Sequence, residues 1–373
     1  MKNRALYQRL LLIPIVLLLV IIIGFIVMTG NRKTEAPKVG LIITGKITDR
    51  GWNGMHYHGA LYACEKLGAE LLVKENIPEE SENCAKAVHE LAKEGASMII
   101  LSSYGYPAKI SDVIQCYPEI AFYGSSAEYY ADNLTSYFGR MYQPRYLTGI
   151  IAGLQTKSNS IGYVAAMPNM EVTRGINAFT LGVKSVNPDA VVNVIWTDSW
   201  ENEEKETTAV NIIIKETEAD VIAYHQNQHY VARKADEAGV YSIGYNDKTE
   251  GLSDKYLTAA IWDFQALYYQ IVREFVLGKA NTVRRHWFGM NTGVVKLSDL
   301  SPLVSEQARQ KVEEARQDIL SGKDVFSGII YDNNGVLRCN EEESVSDEQL
   351  LEKMDWFVDG VVIYEKEAGH QKN

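Results

Sequence analysis

Two rhythms of apolar residues alternate along this chain. Short, almost unbroken apolar runs such as KVGLIITG (38–45) and ASMIILSS (96–103) give way to stretches with an apolar residue every third or fourth position, such as NGMHYHGALYACEKLG (53–68). The first kind reads as a strand covered on both faces, as in a parallel sheet. The second reads as a helix with one buried stripe. The alternation runs through strand 38–45, helix 53–68, strand 69–77, helix 81–95, strand 96–103, helix 106–118 and strand 120–126. Ser81 is placed to cap its helix and Gly95 to end it.

From about Tyr142 the same scheme starts again. Helices are predicted at 145–157, 171–188, 205–217 and 229–239, and strands at 160–167, 190–197, 219–225 and 240–246. A helix at 266–279, a mixed stretch at 283–299, a charged helix at 305–323 and a closing strand at 357–365 follow. The prediction is an α/β protein with two doubly wound parallel-sheet lobes, similar in plan and without repeated sequence.

Ligands of open parallel sheets bind beyond the carboxyl ends of the strands, so the residues just after each strand carry the functional reading. The first strand is followed by Asp49, Gly51, Trp52 and Asn53, and the third by Tyr104 and Tyr106. The second half offers Glu171, Arg174 and Asn177, then Trp196 and Trp200, then His225, Gln226 and Asn227. Tyr245, Asn246 and Asp247 follow, and Trp262 with Asp263 comes last. An aromatic ring beside a carboxylate or carboxamide recurs. Aromatic faces stack on planar rings, and Asp and Asn supply the acceptors and donors that a nucleobase edge needs. A sugar would also suit this set, so composition alone does not separate sugar from purine. Taken singly, each Trp reads as packing; Trp52, beside Gly51 in a strand–helix turn, reads instead as waiting for a flat ligand. His56 and His58 read as surface residues at the start of the first helix.

Composition bounds the rest. The 373 residues are 46% hydrophobic and 23% charged, enough for two ordinary domains. A net charge of -11 without a basic stripe argues against nucleic acid as a partner. Leu10 to Met28 is a run of 19 uncharged residues preceded by Lys2, Arg4 and Arg9. As a helix it would rise about 1.5 Å per residue, roughly the thickness of a hydrocarbon core. It is too long for the apolar region of a cleaved signal and no small-residue cleavage site follows. The expectation is a signal-anchor helix at 10–29 between a short cytoplasmic tail, 1–9, and a polar linker, 30–37, with the large domain outside the cell membrane. Arg32 and Lys33 dilute the charge asymmetry that sets this orientation. A cleaved signal peptide is the alternative.

Cys64, Cys84, Cys116 and Cys339 lack metal-ligand spacing and read as free thiols, although an exported protein could pair one or two couples. No metal or cofactor site is expected. No HExxH, GxSxG or Walker A segment is present, and Asp49 stands nearly alone where a metal-dependent nucleoside hydrolase would need clustered aspartates. The chain is therefore not read as an enzyme. NLT at 133–135 fits a glycosylation sequon.

The stretch from YQPRYLTGIIAGLQTK to VVNVIWTDSW resembles the basic membrane protein family of bacterial solute-binding proteins. That family includes the purine nucleoside receptors that serve ABC importers. DRGWN, SSYGYP, GYND and MDWFVDGVV match in the same order, so the resemblance covers 39–364. It implies a type I periplasmic-binding fold whose chain crosses three times between lobes, lobe one being 38–138 plus 264–290 and lobe two 139–263 plus 291–373. A hinge motion would close the lobes on a ligand that is not altered, and ABC permease subunits would be the partner. The Trp after the first strand resembles a branch that binds adenine or another purine base. On that likeness Trp52 and either Tyr104 or Tyr106 would sandwich the base, and Asp263 or Asp247 would meet its edge. Trp200, His225, Asn246 and Trp262 complete the expected site with Asp49 and Asn53. The YND segment departs from the nucleoside binders and puts a ribose in doubt. The lipidated Cys usual after the family's signal is missing, which leaves the apolar segment as anchor, or the domain as a ligand sensor that never delivers to a transporter.

Overall fold

The apolar runs assemble into two separate sheets. The computed structural model describes residues 36–49, 51–246 and 252–364. The chain divides into two units, 1–37 and 38–373, and the second holds both sheets. Among the described residues no helix is long and apolar enough to cross a membrane, and the expected span at 10–29 lies outside them.

The strands are β1 (Lys38–Ile42), β2 (Glu70–Lys74), β3 (Ala96–Leu101), β4 (Ala121–Ser125) and β5 (Leu134–Gly139), then β6 (Ser160–Ala165), β7 (Val191–Trp196), β8 (Val221–His225), β9 (Tyr241–Asn246) and β10 (Tyr256–Trp262). After them come β11 (Arg285–Phe288), β12 (Val295–Leu297), a hairpin of β13 (Ile330–Tyr331) and β14 (Leu337–Cys339), and β15 (Val361–Ile363). Sheet one has the order β11-β5-β4-β3-β1-β2 and sheet two β12-β10-β9-β8-β6-β7-β15. Every pairing in both sheets is parallel except that of β10 with β12. Central strands are buried along almost their whole length, which is why they read as unbroken apolar runs.

The helices are α1 (Trp52–Leu67), α2 (Ser81–Lys93), α3 (Gly105–Lys109), α4 (Ser111–Gln115), α5 (Tyr142–Gln155) and α6 (Met170–Lys184). The remainder are α7 (Glu203–Thr217), α8 (Tyr230–Glu237), α9 (Phe264–Val276), α10 (Glu306–Leu320) and α11 (Asp347–Glu352). Side chains cap several of them. Asn169 Oδ1 accepts from the Val172 N–H at 3.0 Å, Asn202 Oδ1 from Lys205 at 2.9 Å and Asp263 Oδ1 from Ala266 at 2.9 Å. Helix α2 departs from expectation: Glu80 is its N-cap, without a side-chain bond, and Ser81 is its first residue.

Helices α5 and α6 pack backbone to backbone. A methyl group on Gly182 would lie 2.0 Å from the Tyr146 carbonyl oxygen, and one on Gly149 would lie 2.0 Å from that of Phe179. Only glycine permits this approach.

The chain passes between the sheets three times, after β5, after β10 and after β11. The passages are laced together. The Arg140 N–H donates to the Phe288 carbonyl at 2.7 Å, that of Asp263 to Val294 at 2.8 Å, and the Trp287 indole to Gly139 at 3.1 Å. Gly139 has no room for a side chain, since a methyl there would meet Trp262 at 2.4 Å and Val295 at 2.5 Å. Two guanidinium groups contact the Trp287 ring, Arg140 at 4.2 Å and Arg174 at 5.1 Å from its centre. Arg140 also reaches Asp347 of α11 at 2.7 Å.

Two sequence readings change here. The NLT segment begins β5, and Asn133 is buried with its amide donating to the Ile114, Tyr117 and Ile120 carbonyls, so the triplet offers no exposed acceptor for a glycan. The mixed stretch at 283–299 splits between the sheets as β11 and β12. The four cysteines are free thiols, with Cys116 exposed and the other three buried.

The α5–α6 contact sets a first prediction. Gly182→Ala should lower stability by about 1–3 kcal/mol, because the added methyl meets backbone that cannot yield without separating the helices. Urea unfolding would read this as a lower midpoint with an unchanged slope; an unchanged midpoint would refute the packing argument.

Candidate ligand-binding site

The turn between β1 and α1 is built by two residues that the sequence marks as ligand contacts. Asp49 Oδ1 accepts the Gly51 N–H at 2.8 Å, and its Oδ2 accepts the Asn53 N–H at 3.3 Å and side-chain amide at 3.1 Å. Asn53 Oδ1 in turn accepts the Thr44 hydroxyl and the Gly45 N–H, each at 3.0 Å. Both side chains thus hold the turn, and what the turn presents is Trp52.

Trp52 is half-buried, and its indole N–H donates to the Ser102 carbonyl beyond β3 at 3.1 Å. Its ring stands edge-on to Trp262, with centres 6.1 Å apart at 81°, and also contacts Phe264 and His56. His56 is completely buried, not a surface residue as its sequence neighbourhood implies. Its Nδ1 shares a hydrogen bond with the Tyr268 hydroxyl, which lies 3.1 Å from that of Tyr137, so a buried polar chain backs the Trp52 ring. Of the two tyrosines expected to face Trp52, Tyr106 is fully buried in the core with its hydroxyl donating to the Ile77 carbonyl. Tyr104 is 56% exposed. Periodicity could not separate them: Tyr106 falls in the first turn of α3, whose buried side takes it.

At the carboxyl end of sheet two, β6, β8, β9 and β10 are neighbours and finish level, Ala165 opposite His225 and Ile261 opposite Asn246. His225 packs against Tyr245 with ring centres 4.1 Å apart and against Trp200 at 6.0 Å. His225 Nε2 is 3.5 Å from Glu171 Oε1, an electrostatic contact without hydrogen-bond geometry. The Arg145 guanidinium stacks over Tyr245 at 4.5 Å and donates to the Tyr224 carbonyl at 2.9 Å. Asn246, at φ +78, donates from its amide to Asn227 Oδ1 at 3.3 Å. Asp263 caps α9 and accepts from Lys296 at 2.7 Å, so the carboxylate expected to meet a ligand already holds two partners. Burial pushes this carboxyl up, but Lys296 and the Ala266 N–H outweigh it and leave Asp263 below its usual range. Asp247 lies outside the described residues.

What unites these strand ends is polar atoms without partners. Both ring nitrogens of His225, Gln226 Oε1, Asn246 Oδ1, the Trp262 indole N–H, the Tyr163 hydroxyl, and Nε and one Nη of Arg145 are buried and make no hydrogen bond. Ser102 Oγ, at the end of β3, joins them from sheet one. Native proteins pair the great majority of such atoms, and each one left unpaired costs about 1–3 kcal/mol. The turn between β1 and α1 stands opposite: a methyl on Gly51 would lie 3.8 Å from the Asn227 carbonyl oxygen. Arg145 had gone unmarked in the sequence, although a lone arginine within the apolar helix YQPRYLTGIIAGL is a signal that could have found it. Among the described residues no group of three His, Cys, Asp or Glu could hold a metal ion.

Burial dominates the electrostatics. It pushes the Glu171 carboxyl up, but His225, Arg174 and Arg145 together hold it below the ordinary range. Burial lowers His56 to about 3, and burial with the Arg145 charge lowers His225 to about 4. The unfolded chain takes up protons at both histidines below about 6.5, where the folded chain refuses them. Stability should therefore fall on acidification from about pH 6.5 toward 4, by up to about 1.4 kcal/mol per pH unit for each ring. Glu206 acts oppositely, since burial raises it to about 7 from the usual 4.5 and stability gains as pH falls across that window. Two histidines against one carboxyl leave a net loss. Urea unfolding should show lower stability at pH 5 than at pH 7, with a smaller loss in His225→Asn; equal losses in the two proteins would contradict the assignment.

Comparison with known proteins agrees with this architecture. The family described as ABC transporter substrate-binding protein PnrA-like matches residues 36–326. The putative ABC transporter glucose-binding protein of Haloferax volcanii is 32% identical over 336 residues, 89% of this chain and 82% of that protein. The purine-binding protein of Brucella abortus is 31% identical over 342 residues, 91% of this chain and 96% of that protein. A transcriptional activator protein of Bacillus subtilis is 29% identical over 290 residues, 75% and 87% of the two chains. Among solved structures, an ABC transporter solute-binding protein from Aeropyrum pernix superimposes with a TM-score of 0.64 at 19% identity, over 80% of this chain and 93% of that one. The two parallel sheets are thus those of the periplasmic-binding fold. With residues 36–326 matched, the chain belongs to the PnrA-like family of ABC transporter substrate-binding proteins.

Proposed function

We propose that this protein is a membrane-anchored, extracytoplasmic receptor that captures a purine base or nucleoside, adenine favoured, and delivers it to the permease subunits of an ABC importer. The observation that carries the ligand is the set of unpartnered donors and acceptors at the ends of β8, β9 and β10, the last of which holds Trp262 edge-on to the Trp52 ring. A flat heterocycle brings both kinds of hydrogen-bonding atom on its edge and an apolar face for Trp52. A sugar brings hydroxyls but only a small apolar face. The Brucella abortus relative, named as purine-binding and matched over nearly its whole length, supports the purine; the Haloferax volcanii relative, named as glucose-binding, makes glucose the required control. The three laced passages supply a hinge about which the sheets could close on the ligand.

A second reading has its own support. The Bacillus subtilis relative is named as a transcriptional activator, which favours a ligand sensor that regulates a partner without transport. Both readings share the cleft and differ in what the closed form touches.

Thermal denaturation of the protein, refolded to strip bound ligand, should show a rise with adenine or another purine and none with glucose. At about a hundred times the dissociation constant the ligand adds about 2.7 kcal/mol, several degrees in melting temperature. Trp52→Ala should weaken binding at least tenfold. A rise with glucose alone would replace the purine. The anchor is tested by fractionating cells: the full chain should pellet with membranes and a chain starting at residue 38 should not, whereas two soluble chains would reject the anchor.

A further inference from the structure

Gln226 follows β8, and none of its side chain meets solvent. Its Nε2 donates to Thr197 Oγ1, just beyond β7, at 2.9 Å. The Thr197 hydroxyl has one proton, directed at backbone carbonyls, with Ser199 O at 2.9 Å and Ala165 O at 3.2 Å. With that proton engaged, Thr197 Oγ1 acts toward Gln226 only as an acceptor. A carboxamide turned the other way would set oxygen against oxygen. The amide is therefore held in one orientation, with Nε2 on Thr197 and Oε1 directed elsewhere, and Oε1 is one of the buried atoms that no group in the protein satisfies.

The position of this atom matters. Strand β6 lies between β7 and β8, so the Gln226 amide spans the tip of β6. Beside it, Asn227 donates its N–H to the Trp200 carbonyl at 2.9 Å and accepts the Asn246 amide at 3.3 Å. Asn246 Oδ1 is the second unsatisfied carboxamide oxygen, on a residue held at φ +78. The Gln226 oxygen is thus an open acceptor at a strand end whose next residue, Asn227, has its carbonyl oxygen 3.8 Å from where a methyl on Gly51 would lie.

Open acceptors need donor hydrogens. An amino substituent on a purine ring brings two, whereas an oxo substituent brings only lone pairs and would face the Gln226 oxygen unfavourably. We propose that Gln226, oriented by Thr197, is the residue that selects an amino over an oxo substituent on the ligand ring. The proposal rests on the purine reading of this cleft and adds which edge the site demands. Gln226 contacts the ligand; Thr197 is a positioning residue that acts through it.

The test is isothermal titration of the full chain in detergent, stripped of ligand, with adenine, hypoxanthine and unsubstituted purine. The native protein should bind adenine at least about tenfold more tightly than hypoxanthine. Gln226→Met, similar in volume without the acceptor, should bring that ratio to about threefold or less. Thr197→Val leaves the carboxamide free to turn and should also lower the ratio, while affinity for unsubstituted purine stays within about threefold. That last readout separates lost selection from a damaged fold, and Thr197→Val carries the test alone should Gln226→Met not fold. Hypoxanthine binding as tightly as adenine in the native protein, or a ratio unchanged in the variants, would overturn the role of Gln226 and leave the purine receptor standing. Failure of every purine to bind would remove both.

Discussion

The meeting of three chain passages at Gly139 is the constraint on which this structure depends. Because that residue has no side chain, Trp262 and Val295 close in on its backbone, and the chain segments leaving β5, β10 and β11 lie within hydrogen-bonding distance of one another. Each sheet is thereby completed by strands from distant parts of the chain, and the Trp52 ring of the first half touches the Trp262 ring of the second. Trp287, contacted by the Arg140 and Arg174 guanidinium groups, covers this junction.

Against this frame the ends of sheet two are expensive. Polar atoms of His225, Gln226, Asn246 and Trp262 are buried there without a hydrogen-bond partner from the protein. Low local polarity raises the cost of every unpaired atom, and by the same physics raises the value of a partner that satisfies several together. Burial also holds His225 neutral, so its nitrogens offer one donor and one acceptor instead of two donors. A ligand that brings donors and acceptors to such a surface gains more than it would from the same contacts at an exposed one.

Much of the architecture was legible in the sequence because parallel strands buried on both faces leave unbroken apolar runs. ASMIILSS and AVVNVIWT became β3 and β7 within a few residues of their predicted ends. Strand β5 left no such mark: LTSYFG mixes polar and apolar residues, and Thr135 and Ser136 are buried by tertiary pairing with the distant segment 283–288. Composition likewise singled out the strand-end aromatics but not their roles. Whether Tyr104 or Tyr106 faces outward depends on one short helical turn. Whether Asp49 meets a ligand or ties its own turn depends on two N–H groups close in sequence. Arg145 was hidden for the opposite reason, since a helix rich in small and apolar residues draws the eye to packing, while its one charge acts across the sheet.

The order of strands also has a consequence for how the protein is made. Strand β11, at the edge of sheet one, comes from residues 285–288, and α9, against α1, from 264–276. Sheet two receives its outermost strand, β15, from residues 361–363. A ribosome that has released the first 140 residues has thus made sheet one without its edge strand and no part of sheet two, and the surface of α1 that α9 covers waits for chain still to be translated. Pairing across such separations is slow, and exposed strand edges invite association during the delay. The same threading that joins the two halves therefore makes each of them wait on chain far downstream, which leaves their apolar faces uncovered for much of synthesis.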